Sequence, residues 1–594
     1  MTINRFVEDD RGSSSFSRPD PESLELIRDD DNDDNDDNDD DDDDEKPQAS
    51  SPVRWRDLPN KDQLFILSLC RLSEPLSNVC ILPYVFFLVR SVLLSSSPSP
   101  PHTNPENNDD DDTATATASR ISVYSGLLVS SFPLAQCATS LAWGALSDRR
   151  GRRPAIAAGL AASALANAGF ALASSSFAAL LAWRVLAGLA NGTVGVARAA
   201  TAEAVCVRRG GDPRFRARAF LLLPLVFNAG VAASLALGGC LADPVANLPW
   251  LFGPDGWLNT GRDPRGVAWA LEHPYALPPL LNAAVLGGVL VLAVLGLRET
   301  LPAREAHDDV GLRAGAAVAR WASRCWTRCR RRRRPREHGY AEIGNEEERL
   351  AGEPQQVPTK QPGRFGGVAS RGIWTRKVLC ALVSFGLLPL HNSAFMHIFP
   401  VYLSSPPSSS DGNNSSSSSS SESTLFAFAG GLGLRSSAIG LWLSAFGVGG
   451  ILLQLFIYPR LQARIGTRGV FRVALWLFPP TYAAAPYLSL VSAGGVKWAF
   501  LACVVCAQIA ARTMAIPSTV ILLTEAAPER AVLGTVHGAG NTLASLARAV
   551  GPAVGGYVFA LGVDAGVVGL VWWFYLVVIA LCALAWSYIM EGDG

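Results

Sequence analysis

Twelve apolar stretches, each close to the twenty or so residues that a helix needs to cross a bilayer, constrain this chain more than any other feature. They fall at 64–89, 121–146, 155–174, 178–203, 219–241 and 276–297. Six more lie at 376–403, 438–458, 469–490, 498–523, 535–562 and 566–590. Within the hydrocarbon region a helix satisfies its own backbone polar groups, which a loop cannot do. The pattern therefore predicts an all-α polytopic membrane protein, six helices on either side of a polar interval. Mean hydropathy is +0.21 although long segments are plainly hydrophilic, so the remainder must be very apolar.

The polar segments divide the chain. Residues 1–60 hold the run DDDNDDNDDNDDDDDDE from Asp29 to Glu45, a like-charge block that cannot collapse and is expected to be a disordered tail. A first bundle is expected over 61–297, a basic central loop over 298–372 containing RCWTRCRRRRRPRE, and a second bundle over 373–594. The central arginines read as a topology-enforcing linker, with a helix on an anionic leaflet as the rival reading. Low-complexity insertions occupy 91–119 and 404–424. The polar, acidic start shows no signal-peptide pattern, so the first span is expected to direct insertion.

Lysine and arginine in the short loops orient the chain. One side carries Arg149, Arg150, Arg152, Arg153, Arg208, Arg209, Arg214, Arg216, Arg218, Arg460, Arg464, Arg468, Arg472 and Arg530. The other carries only Arg90, Arg120, Arg262, Arg265, Arg435 and Lys497. The richer side is expected to be cytosolic, and an even number of spans puts both termini there. The 404–424 loop then faces out or into a lumen, where Asn413 and Asn414 head overlapping glycosylation sequons.

Several functions are disfavoured. The net charge of −1 gives no reason to expect nucleic acid as a partner. The cysteines sit mostly in apolar runs and form no disulfide framework. Cys503 and Cys506 make a CxxC without a second pair at zinc spacing, so no metal is expected. The absence of a GxxxxGK[ST] run removes direct ATP use within the chain. With no cofactor motif and no Ser/His/Asp arrangement, an enzyme is not expected. Gradient-driven transport is the natural class.

A charge at the bilayer centre costs about 2.5–3.5 kcal/mol on insertion scales, so each one asks for a reason. In the first span, Arg71 and Glu74 lie three apart on one helix face, and Pro75 and Pro83 loosen the backbone. The two charges either snorkel from one end or line a watery cavity in which Glu74 exchanges a proton. The fourth span carries Arg184, Arg198 and Glu203, with Arg184 placed near one end where it could snorkel. His391, His397 and Asn392 in the seventh span, Gln508 and Arg512 in the tenth, and Asn541 in the eleventh are candidate cavity groups. No single span is polar enough to line a channel alone, which favours a cavity shared between the halves.

The stretch WGALSDRRGRRP narrows this reading. Gly144-x-x-x-Asp148-Arg149-x-Gly151-Arg152-Arg153 resembles the signature loop between helices 2 and 3 of the major facilitator superfamily. PRLQARIGTRG, Pro459 to Gly469, echoes it in the second half: Arg464, Gly466 and Arg468 align with Arg149, Gly151 and Arg153, and Ala463 replaces the aspartate. CRLSEPLSNVCILPY, RVLAGLANGTVGVAR and GNTLASLARAVGP resemble the fungal and plant zinc-induced-facilitator-like branch of the drug:proton antiporters. The antiporter motif of helix 5, normally ending GPxxGG, is reduced to Ser234–Gly239, whereas helix 11 carries the full form at Gly551–Gly556.

The resemblance implies two pseudo-symmetric six-helix bundles rocking about a midplane site. It implies a monomer that exchanges a small organic solute for protons across a plasma or vacuolar membrane. It assigns gating to the signature loop and coupling to Arg184, with Arg71 and Glu74 as further coupling candidates. Asp148 is expected to accept hydrogen bonds from the start of a neighbouring helix or to pair with Arg152. A nutrient facilitator or proton symporter of the same fold, and a transporter-like sensor, are the alternatives.

Overall fold

The computed structural model describes residues 60–96, 109–173, 176–206, 213–300, 313–314, 316–317, 320, 374–407, 428, 430–491, 494–528 and 533–590. The acidic tail, almost all of the central loop and the Asn413–Asn414 sequons lie outside them.

Ten of the described helices are long and apolar enough to cross a membrane. Twelve spans emerge once two local breaks are recognised. The first span, α1, is in pieces: Lys61–Cys70, a π-helical turn Pro75–Val79, and Val85–Ser96. Pro75 and Pro83 have no N–H to donate, so the regular i→i−4 ladder cannot run through them. Cys80 N–H reaches back to Pro75 O (3.2 Å) and Leu82 N–H to Val79 O (3.1 Å). The second break lies in the helical run Ser436–Ser489, which is two spans turning at Gly466, φ 71° and ψ 170°.

The remaining spans follow in order. They are α2 (Asp109–Arg150), α3 (Arg152–Leu172), α4 (Phe177–Ala190, a 3₁₀ turn Asn191–Thr193, then Val194–Cys206), α5 (Pro213–Leu241) and α6 (Leu277–Gly296). The second half has α7 (Arg376–Ser404), then α8 (Ser436–Leu452, running on to Gly466) and α9 (from Gly466 through the 3₁₀ turn Ala485–Ser489). It ends with α10 (Gly495–Ala526), α11 (Leu533–Asp564) and α12 (a π-helical Val571–Val577 followed by Val578–Ile589).

Gly466 has a counterpart in Gly151, which joins α2 to α3 with φ 107° and ψ 156°. Both lie in the positive-φ region that favours glycine. The two glycines aligned by sequence thus make the same backbone turn at corresponding places in the two halves, as an internal repeat requires.

The halves meet along α2 with α11 and α5 with α8. Without a hydrophobic drive in lipid, close backbone approach depends on small residues. A Cβ on Gly126 would sit 2.6 Å from Pro552 O, and one on Gly239 would sit 2.3 Å from Ser436 O. Near the same end Ser119 Oγ donates to Asp564 (3.0 Å), Asn247 Nδ2 to Ser436 Oγ (3.0 Å), and His397 Nε2 pairs with Ser125 Oγ (3.2 Å). The end opposite the signature loop is therefore tightly closed. The GPAVGG run serves packing: Gly551 faces Leu390 O and Gly556 faces Ser122 O. In the second half a fully buried aromatic core of Phe395, Phe399, Phe478, Tyr482 and Trp572 fills the bundle. Side chains such as Leu141 and Phe574, each 70% exposed, point outward where lipid would lie.

Candidate functional site

Two polar constellations stand out, one at the signature loop and one at mid-height between the halves. At the loop, Gly151 turns the chain so that α3 begins at Arg152 with no side-chain cap of its own. The first N–H groups of any helix are orphaned and carry its positive dipole end. Glu299, just beyond α6, supplies the missing acceptor: Arg152 N–H donates to Oε1 (2.8 Å) and Arg153 N–H to Oε2 (3.1 Å). The helix-start contact anticipated for Asp148 is made by Glu299 instead. Asp148 pairs with Arg152, its one ion-pair partner among the described residues, and its side chain is 66% exposed.

The Arg152 guanidinium gathers the rest. It pairs with Asp148, donates to Ser147 Oγ (2.6 Å), and binds Glu203 Oε1 through Nη2 (3.0 Å). Glu203 Oε2 also accepts from Thr300 Oγ1 (2.6 Å). Residues from α2, α3, α4 and the end of α6 are thus tied at one point. Glu203 and Glu299 are the members that sequence reasoning did not select. Glu203 was visible as an acid near a span end, but nothing local marks Glu299 as its neighbour's cap. Gly144 has open space around it and Arg149 is exposed; Arg153 also donates to Val294 O (2.5 Å).

At mid-height, Glu74 is 3% exposed and bridges the two halves. Arg71 Nη1 donates to Oε2 at 2.6 Å, and Arg548 Nη1 of α11 donates to Oε1 at 2.9 Å. Both charges of α1 are buried, so the snorkelling alternative is set aside for them. Arg198 Nη1 donates to Asn541 Oδ1 across the same interface (3.2 Å). Arg548, which the sequence analysis did not select, is thus the link between halves. Its signal was an arginine inside an apolar span.

Arg184 is 4% exposed and does not snorkel. Its guanidinium reaches Ser77 O and Asn78 Oδ1 (3.1 Å) in the broken part of α1 and lies over the Phe132 ring (5.3 Å). The prolines interrupt the ladder there and Arg184 supplies donors to that segment, so the two features explain each other. Beside it is a cavity of about 20 Å³ bounded by Ser77, Asn167 and Asn282, room for one water. Arg184 forms no ion pair with Glu74 among the described residues.

The cavity candidates of the second half separate. His391 and Gln508 are fully buried inside the bundle, not on a cavity wall. His391 Nδ1 pairs with Tyr482 OH (2.8 Å), and Gln508 Nε2 lies 3.4 Å from both Tyr482 OH and Asn392 Oδ1. Tyr482 organises this group and was not singled out by sequence. Asn541 is at the interface with Arg198. Arg512 is half-buried, with no hydrogen-bond or ion-pair partner among the described residues.

Residues 114–406 match the Major Facilitator Superfamily. The chain is 31% identical over 551 residues to the major facilitator superfamily multidrug transporter mfsB of Aspergillus fumigatus, covering 87% of this chain and 81% of that one. The chain belongs to the major facilitator superfamily. It is a multi-pass membrane transporter with the twelve-helix, two-bundle fold. This facilitator is also 24% identical to the protein ZINC INDUCED FACILITATOR 1 of Arabidopsis thaliana, covering 75% of this chain and 77% of the relative. The crystal structure of the human organic anion transporter MFSD10 shares its fold at TM-score 0.51 and 18% identity, covering 90% and 99% of the two chains. The POT family transporter PepTSo does so at 0.55 and 12%, also covering 90% and 99%.

One expectation at the loop can be tested directly. An ion pair this exposed contributes only about 0–1 kcal/mol, so Asp148→Asn should leave detergent-solubilised thermal stability nearly unchanged. Transport should nevertheless fall several-fold, on the expectation that the charge acts in the conformation in which the loop end closes. Initial uptake rates at matched membrane content check this, and turnover equal to the parent would remove Asp148 from gating.

Proposed function

We propose that this facilitator moves a small organic solute out of the cytosol by alternating access, in exchange for protons, with the Glu74–Arg548 bridge as the coupling element. The observation that carries the reading is one buried carboxylate held by an arginine from each half. A salt bridge across the rocking interface resists separation of the halves. A proton on Glu74 removes the charge that holds Arg548, so proton loading releases the bridge. The ionised, empty carrier stays locked, which prevents futile cycling.

The signature loop is read as the latch of the opposite conformation, with Gly144, Asp148, Arg149, Gly151, Arg152 and Arg153 as its parts. In the present conformation the opposite end is closed and Asp148 is exposed, as in a carrier open toward the loop side. The arginine excess supports reading that side as cytosolic, with both termini there and the carrier acting as a monomer in the plasma or vacuolar membrane. Movement of a small organic solute agrees with the name of the Aspergillus fumigatus relative, a multidrug transporter. The π-helical and proline-broken parts of α1, gripped by Arg184, are the segment through which a change at Glu74 would reach the first half.

The test is thermodynamic. Proteoliposomes holding the full chain are given an imposed pH gradient at zero membrane potential, and solute movement is followed against its own gradient. Uphill movement that reverses when the pH gradient is reversed is expected. Downhill equilibration alone, indifferent to pH, would show an uncoupled facilitator.

A further inference from the structure

Between its two ends the transporter carries five arginines, Arg71, Arg184, Arg198, Arg512 and Arg548, against one carboxylate, Glu74, among the described residues. Arg184 is occupied by groups of α1. Arg512 has no partner among the described residues, and Arg71, Arg198 and Arg548 gather around Glu74 at the interface. Glu74 accepts from Arg71 and Arg548, while Arg198 among the described residues hydrogen-bonds only the neutral Asn541 amide and lies within electrostatic reach of Glu74 and of both other arginines. Arg548 Nε is buried without a hydrogen-bond partner among the described residues, although its Nη2 donates to Ser545 Oγ (3.0 Å). Three guanidiniums and one carboxylate leave an excess of two positive charges in a region where uncompensated charge is expensive.

We propose that the solute is an organic anion whose carboxylate, sulfonate or phosphate group is received by Arg548 and Arg198 at the interface between the halves. This rests on the carrier reading above and names its substrate class. A planar guanidinium offers paired donors to such oxyanions, and an anion lodged there supplies the acceptor that Arg548 Nε lacks. It also gives exchange a physical basis. The bridge between the halves can be broken in two ways: a proton neutralises Glu74, or a solute anion takes Arg548 away from it. Either load frees the halves to rock, and the empty carrier is held. An organic cation entering the same place would meet the excess positive charge and leave the bridge intact.

The experiment uses proteoliposomes of the full-length protein loaded with a defined mixture: aromatic and aliphatic carboxylates, sulfonates and phosphate monoesters, with amines and uncharged amides of matched size. Mass spectrometry follows the loss of each species relative to protein-free vesicles. Anions are expected to leave at least tenfold faster than amines, since one charge-assisted hydrogen bond corresponds to roughly 10–100-fold in affinity. Arg548→Gln should lower anion flux by about the same factor, Arg548→Lys should retain part of it, and Arg198→Gln should weaken anion selectivity. Size-exclusion profiles matching the parent establish that each variant is folded. Preferential movement of amines or amides would overturn the anion assignment and leave the carrier reading intact. Anion flux unchanged in folded Arg548→Gln and Arg198→Gln would overturn the site. Movement of no species would overturn the anion assignment and the carrier reading together.

Discussion

Replacing Glu74 by glutamine is expected to abolish pH-driven uphill transport while leaving downhill exchange measurable. Glutamine keeps the shape and one acceptor oxygen but carries neither a charge nor an exchangeable proton near neutral pH. Two consequences follow from the geometry. The Arg548 link across the halves is weakened in every state, so the empty carrier rocks and coupling is lost. Arg71 and Arg548 also lose their shared counter-charge, and breaking a buried pair in this way typically destabilises by about 3–5 kcal/mol. The stability loss should be largest in detergent without solute. The check is paired: solute accumulation under an imposed pH gradient, and counterflow without one. A variant that still accumulates solute in response to the gradient would remove Glu74 from coupling. Replacement by aspartate tests reach, because its carboxylate is one methylene shorter. It should retain pH dependence at a reduced rate.

The second large effect is expected at Arg152. Alanine there removes the partner of Asp148 and the Ser147 hydrogen bond. It leaves Glu203 accepting from the Thr300 hydroxyl. Four helices of the first half lose a common tie, and the position of the loop on that half is no longer set. A conformational bias of about 1–3 kcal/mol corresponds to a shift of roughly 5–150-fold in the two-state ratio. Transport should therefore fall at least tenfold, with membrane insertion preserved because Arg149, Arg150 and Arg153 still hold the loop on its side. Arg152→Lys should rescue poorly. A single ammonium cannot present the fork that meets Asp148, Ser147 and Glu203 together. Surface accessibility of a cysteine placed at the loop end reports the conformational ratio independently of flux. Parent-like ratio and flux in Arg152→Ala would show the network to be only topogenic.

These effects differ in how visible they were beforehand. Span number, the six-and-six layout and the signature loop are properties of local composition and spacing, and they are legible in a one-dimensional string. Helix length is imposed by bilayer thickness, and loop charge by the cost of translocating arginine. Gly151 and Gly466 could be aligned before their matching backbone turns were seen, because a positive-φ turn demands the same residue wherever it recurs. Arg71 and Glu74 could be paired because they lie three residues apart on one helix face. The first span nevertheless breaks more severely than two prolines alone suggest, since Arg184 provides the external partners that make the break tolerable.

Hydropathy, charge placement and motif spacing are read one residue at a time, and they specify a twelve-helix facilitator with its signature loop between the second and third spans. Which polar groups meet is set by the packing of the helices. Arg548 stands 474 positions from Glu74, Glu299 stands 147 from Arg152, and Tyr482 stands 91 from His391. No periodicity connects such residues. They are brought together by close packing of glycine-lined helices, and that packing places one buried carboxylate between arginines of two bundles.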